Sequence, residues 1–161
     1  MTDCRPPLRS FVRREGRITR GQARALERLW PVFGLEPQGV INLEGVFGRV
    51  APRVLDIGFG DGDALVEMAA ADPWRDYLGA EVHRPGVGHC LQCAEQQQLS
   101  NLRVVCLDAV DMLRHHLPEH CLSAVQIFFP DPWPKKRHHK RRLIQPEFIE
   151  LLAARMVECC I

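Results

Sequence analysis

From about residue 54 onward, the apolar positions of this chain repeat in an alternating pattern. Val54-Leu55-Asp56-Ile57 is a short, almost continuous apolar run, as a strand covered on both faces requires. Gly58 to Gly62 supplies a turn. Ala64 to Ala71 follows with Leu65, Met68 and Ala69 at helical spacing, and Asp72-Pro73 closes it. The same unit then recurs. Tyr77 to Val82 predicts a second strand and Val87 to Gln98 a second helix. Leu102 to Cys106 predicts a third strand, followed by a short helix over Val110 to His116. Leu122 to Phe129 predicts a fourth strand ending at Pro130. Pro146 suits the first turn of a last helix carrying Phe148, Leu151 and Leu152 on its apolar face. Strands and helices alternating at this spacing predict a parallel sheet with helices on both faces, an α/β Rossmann-like fold. In such sheets ligands bind at the carboxyl ends of the strands.

Upstream the pattern is weaker. Residues 1–18 show little apolar periodicity, and Pro6-Pro7 blocks a helix there. Thr19 is placed to cap a helix running to about Trp30, with Ala23, Leu26, Leu29 and Trp30 along one side; Pro31 and Gly34 are expected to end it. Residues 35–52 are punctuated by Gly and Pro and read as a linker with a short turn. The expected organisation is a basic N-terminal segment and helix over 1–34, then the α/β region over 35–161.

Composition narrows the class. A chain of 161 residues with 46% apolar content is one domain by size and can bury a core. No apolar run approaches the roughly 20 residues a membrane span needs. Arg5, Arg9, Arg13 and Arg14 have no apolar stretch behind them, so the start is not a secretory signal. The cysteines number seven, without framework spacing, and read as reduced thiols of a cytoplasmic protein. Cys90 and Cys93 have metal-ligand spacing, with His83 and His89 nearby, but no second pair completes a tetrahedral set. They are expected to be ordinary helix residues, and no metal is expected. The net charge of +1 conceals a segregation: +5 over residues 1–28, −8 over 29–134 and +4 over 135–161. Local charge steers polyanions, so two basic ends flanking an acidic middle suit a nucleic-acid partner.

The acidic middle holds the candidate cofactor site. Gly58, Gly60 and Gly62 form a G-x-G-x-G turn between strand and helix, where backbone N–H groups can approach a ligand. The dinucleotide pattern G-x-G-x-x-G is not matched, because position 63 is Asp. Asp56, just before the first glycine, would repel a pyrophosphate but favour a ligand carrying an ammonium and a sulfonium. Glu81 at the end of the second strand can accept ribose hydroxyls. Asp108 after the third strand can reach an adenine amino group. Each acid alone could instead be a helix N-cap. Together with the glycine turn they point to S-adenosyl-L-methionine.

The fourth strand runs into Phe128-Phe129-Pro130-Asp131-Pro132-Trp133-Pro134-Lys135-Lys136-Arg137-His138-His139-Lys140-Arg141-Arg142. The prolines make a rigid, extended exit. This run, with Arg9 to Arg14, Leu55 to Gly60 and Glu81 to Gly88 in the same order, resembles the bacterial tRNA (guanine-N7-)-methyltransferases. The resemblance extends from about Leu8 to Leu152. It implies transfer of a methyl group from S-adenosyl-L-methionine to N7 of a variable-loop guanine in tRNA. It implies cofactor contacts at Asp56, Glu81, Asp108 and Asp131, catalysis by Asp131, and tRNA contacts at Lys135, Arg137, His138, His139, Lys140, Arg141 and Arg142. Family members often carry Glu where this chain has Asp56. They also continue past this chain's end at Ile161 into a further strand and a substrate-contacting Thr-Asp-aromatic motif. A C-terminally truncated domain with an exposed fourth strand is therefore expected.

Guanine N7 has an in-plane lone pair and no proton to lose, so orientation matters more than a strong base. Positioning alone supplies roughly 7–11 kcal/mol. Asp131 would accept hydrogen bonds from guanine N1–H and the exocyclic amine, and its charge would stabilise the cation developing on the ring. Trp133 either stacks on a base or packs beside the strand. His83 is expected to cap or pack. Two other readings stand beside this one: an inactive fragment that only binds tRNA or cofactor, and an exocyclic-amine N-methyltransferase using Asp131-Pro132-Trp133-Pro134 to grip its nucleophile. The expected assembly is a monomer or homodimer with no obligate partner and no membrane.

Overall fold

The computed structural model describes residues 16–128 and 142–157. Its strands are β1 (Gly34–Leu35), β2 (Arg53–Ile57), β3 (Asp76–Ala80), β4 (Leu102–Val105) and β5 (Ala124–Gln126). Its helices are α1 (Arg20–Phe33), α2 (Leu43–Phe47), α3 (Asp63–Ala71), α4 (Arg84–Gln96), α5 (Ala109–His115) and α6 (Pro146–Arg155). The strands form one parallel sheet in the order β1-β4-β3-β2-β5. The chain steps outward from β2 through β3 to β4, then crosses to the other side of β2 for β5. That reversal opens a crevice at the carboxyl end of β2, where α/β sheets bind ligands.

The period-2 alternation of the strands builds two cores. Val54, Tyr77, Leu102 and Val104 face one side, packed with Leu65, Val66 and Ala69 of α3, Val87, Leu91 and Ala94 of α4, and Ala25, Leu29 and Phe33 of α1. Leu55, Ile57, Leu78, Ala80 and Val105 face the other, with Met112 and Leu113 of α5 and Phe148 of α6. Leu55, Leu65, Leu91 and Leu113 are completely buried, and each contributes about 1.5–3 kcal/mol of transfer free energy.

Several boundaries differ from the sequence expectation. Helix α1 continues through Pro31 to Phe33. Ala25, Leu29 and Phe33 lie at i, i+4 and i+8 on the buried face, and seating Phe33 in the core outweighs the hydrogen bond Pro31 cannot donate. Thr19 caps the helix as expected, in a reciprocal capping box with Gln22. The expected linker over 35–52 holds structure: Leu35 of β1 pairs with Val105, Asn42 caps α2 by accepting from the Gly45 N–H at 3.0 Å, and Ile41 and Leu43 enter the second core. Helix α4 begins at Arg84 rather than Val87, because His83 caps it and Pro85 suits its first turn. Strand β5 is shorter than the expected 122–129 and forms an edge of the described sheet. The chain just before it is not bare: Leu122 pairs in parallel with Met156, donating to the Arg155 carbonyl at 2.9 Å and accepting from the Val157 N–H at 2.8 Å.

Candidate active site at the glycine turn

Strand β2 delivers Asp56 to the crevice. In register it lies between Gly79 of β3 and Gln126 of β5. Gly79 leaves room for the Phe59 ring, which a Cβ there would meet at 2.6 Å. Asp56 is 1% exposed, and among the described residues neither carboxylate oxygen has a hydrogen-bond partner. Burial, reinforced by the charge of Glu81, pushes its carboxyl up to about 6. The Gln126 Oε1 is also buried without a partner. Two unpartnered polar groups opposite each other on adjacent strands leave hydrogen-bonding capacity that a polar ligand or water could take up.

The turn that follows is held open by backbone geometry. Gly58 and Gly60 take φ of 73° and 62°, and a Cβ at either would meet nothing within 4 Å. Both therefore border free space, as a ligand cradle requires. Helix α4 closes behind the turn through Gly86, where a Cβ would fall 2.1 Å from the Gly60 carbonyl oxygen. Only glycine permits that approach.

The other two strand-end acids have local work. Glu81 accepts from the N–H groups of Gly60 (2.9 Å), Val82 (2.7 Å) and His83 (2.9 Å), so it ties the glycine turn to the start of α4. Asp108 N-caps α5, accepting from Val110 N–H at 2.9 Å and Asp111 N–H at 3.1 Å. His83 accepts from the Gly86 N–H at 3.3 Å, the capping role expected of it. The structure thus brings Asp56, Gly58, Gly60 and Glu81 together, with Asp108 at the neighbouring strand end. Arg142 is described just before α6. Asp131, Trp133, Lys135, Arg137, His138, His139, Lys140 and Arg141 lie outside the described residues.

Beside these acids opens a cleft of about 1070 Å³ between α1 and the ends of β3 and β4, lined by Leu26, Trp30, Val82, Cys106, Leu107 and His116. Sequence reasoning missed it, since it treated α1 as a separate segment. Gln126 and Gly86 were missed too: each matters only through a neighbour distant in sequence. Cys90 is completely buried, and burial pushes its thiol up to about 12. It packs against Gly62, as a helix residue should.

The parallel sheet, its order around β2 and the glycine turn at the crevice define a class I, Rossmann-like methyltransferase fold. Solved structures agree at the level of fold: the 16S rRNA methyltransferase KamB superposes with a TM-score of 0.55 at 19% identity, covering 78% of this chain and 58% of that one. An antibiotic-related methyltransferase gives 0.51 at 19% identity, covering 71% and 57%. A family described as "Putative methyltransferase" matches residues 50–160, and the chain belongs to that methyltransferase family. Among curated relatives, the tRNA (guanine-N(7)-)-methyltransferase of Halorhodospira halophila is 74% identical over 151 residues, covering 92% of this chain. The protein of the same name from Alkalilimnicola ehrlichii is 61% identical over 153 residues, covering 93%. The chain spans 65% of the length of each of these relatives. Among the described residues no helix is long and apolar enough to cross a membrane.

Proposed function

We propose that this chain carries the cofactor site and the tRNA grip of an S-adenosyl-L-methionine-dependent methyltransferase acting on guanine N7 in tRNA. The observation that carries this reading is the 74% identity over 151 residues to a protein of that name, which extends through nearly the whole chain. The site's chemistry supports it. The buried, unpartnered carboxylate of Asp56 and the open space at Gly58 and Gly60 suit a ligand bearing an ammonium and a sulfonium. Glu81 would hold ribose hydroxyls while keeping the turn closed. The cleft beside Val82 and Leu107 offers apolar walls to an adenine ring, and Asp108 follows Leu107 directly in the chain.

When bound, S-adenosyl-L-methionine supplies an already activated methyl group. The chain's own residues then have to orient and exclude. Asp131 accepts from guanine N1–H and the exocyclic amine and favours positive charge on the ring. Lys135, Arg137, His138, His139, Lys140, Arg141 and Arg142 hold phosphates and set the register of the tRNA without reading sequence. Such a protein works in the cytoplasm, as monomer or homodimer.

The test is incubation of the chain with unmodified tRNA and labelled S-adenosyl-L-methionine, with the product mapped by nuclease digestion and mass spectrometry. Methyl on guanine N7, lost in Asp131→Asn with tRNA binding retained, is the expected result. Methyl on an exocyclic amine would move the protein to the other N-methyltransferase reading. Cofactor and tRNA binding by a folded chain without any transfer would confine it to binding.

A further inference from the structure

On the outer side of the glycine turn, helices α3 and α4 bring together chemistry that the cofactor site does not use. His89 and Cys93 stand four residues apart on one face of α4. Asp63 is the first residue of α3, directly after Gly62. The three ligand atoms all lie within 4.8 Å of one another, and among the described residues no other such group of His, Cys, Asp or Glu forms. We propose that Asp63, His89 and Cys93 bind a single zinc-class divalent ion that pins the glycine turn to α4.

The three side chains are close enough to share one ion after a local adjustment. Tetrahedral zinc with bonds of about 2.0–2.3 Å needs ligand separations of about 3.3–3.6 Å. Cys93 Sγ lies 3.8 Å from each His89 ring nitrogen and 3.9 Å from Asp63 Oδ1, and Asp63 Oδ1 lies 3.5 Å from His89 Nδ1, so closing on an ion takes a turn of the His89 ring rather than a rebuilding of the helices. One nitrogen of His89 is already engaged. Its Nδ1 is 2.9 Å from the Asp61 carbonyl oxygen, to which a protonated Nδ1 donates, so Nε2 is the nitrogen free to take the ion; Asp63 Oδ1, 3.5 Å from Nδ1, reaches that ion once the ring has turned. That backbone acceptor is the outer-shell partner that metal-bound imidazoles habitually have. A mixed sulfur, nitrogen and oxygen set suits zinc better than calcium or magnesium, which prefer oxygen. Asp63 is exposed and the other two ligands half-buried, so water can take the fourth position. As the sulfur–metal bond forms, the Cys93 thiol proton passes to solvent, with no change of oxidation state.

The position gives the site a purpose. Gly62 packs so closely on α4 that a Cβ would lie 2.5 Å from Cys90 Cβ. An ion joining Asp63 to His89 and Cys93 fastens the two helices on either side of that contact. Such a role is independent of methyl transfer, so it is tested by binding.

Metal-stripped full-length chain is titrated with zinc chloride by calorimetry and with cobalt(II) chloride by visible absorption. One ion per chain, a thiolate-to-cobalt charge-transfer band and a raised Tm are expected. Cys93→Ser should abolish the band. His89→Ala and Asp63→Asn should weaken binding by about 100-fold or more, since loss of an outer-shell partner alone costs about 10–100-fold. His115→Ala, exposed on α5, should bind as the parent does. X-ray absorption on the zinc-loaded parent needs no variant and should read one sulfur among nitrogen and oxygen ligands. Absence of the cobalt band, two or more sulfurs at the ion, or full binding retained in both Cys93→Ser and His89→Ala would each overturn the proposal.

Discussion

Asp56 is held as carboxylates seldom are: buried, with no hydrogen-bond partner among the described residues and a like charge at Glu81 nearby. Its folded value of about 6 lies above the ordinary value of 3.8, so between these pH values the folded state binds more protons than the unfolded one. Stability of the ligand-free protein should therefore fall as pH rises through that window, by an amount on the order of 2–3 kcal/mol. Asp56→Asn should remove that slope, raise Tm at neutral pH and weaken S-adenosyl-L-methionine binding. Glu81→Gln should shift the slope toward lower pH by removing the second cause. Thermal melts in a pH series check both, and an unchanged slope in Asp56→Asn would falsify the assignment. At this scale the sequence was legible in part. Asp56 stood out by its place before the glycines. The backbone bonds of Glu81 and the capping bonds of Asp108 depend on where N–H groups point after folding, so residue type alone left ribose, adenine and cap readings open.

The elements around the turn are held by close packing as well as by the Glu81 and His83 bonds. Gly86 meets the Gly60 carbonyl with no room for a methyl group. Gly86→Ala must push α4 away from the turn; a destabilisation of about 1–3 kcal/mol is expected, with cofactor affinity falling further than stability alone explains. Denaturant unfolding and calorimetry on the same variant separate the two effects. Leu29 is buried where α1 packs on the sheet and α4, so Leu29→Ala should cost about 2–5 kcal/mol in denaturant unfolding. The helices and strands from 54 onward were readable because each spans enough residues to show a period. Strand β1 has two residues and α2 has five, too few for any periodicity. Pro31 pointed to a helix end that the burial of Phe33 overruled.

For the whole molecule, charge is the property that crosses elements. The +5 and +4 ends flank a −8 middle, so a polyanion should be gripped at both ends and kept off the acidic crevice except where a base is presented. Binding to tRNA should weaken steeply with salt. Replacing Lys135, Arg137, Lys140 and Arg141 by Gln should flatten the slope of log K against log salt by about 0.7–0.9 for each phosphate that is no longer neutralised. Filter binding over a salt series measures it; an unchanged slope would take the run out of the interface. Cofactor affinity should stay as in the parent.

What the sequence determined by itself was the alternation of strands and helices, the glycine turn with its acids, and a resemblance strong enough to suggest chemistry. These are local or linear properties: apolar period, turn composition, and motif order. Tertiary structure alone decided which acid stays unpartnered, that Gln126 stands beside it, that α1 walls a cleft, and that Asp63 reaches His89 and Cys93. Each of these depends on the register of strands and the approach of helices far apart in the chain. Sequence spacing carries no measure of those distances, and only packing sets them.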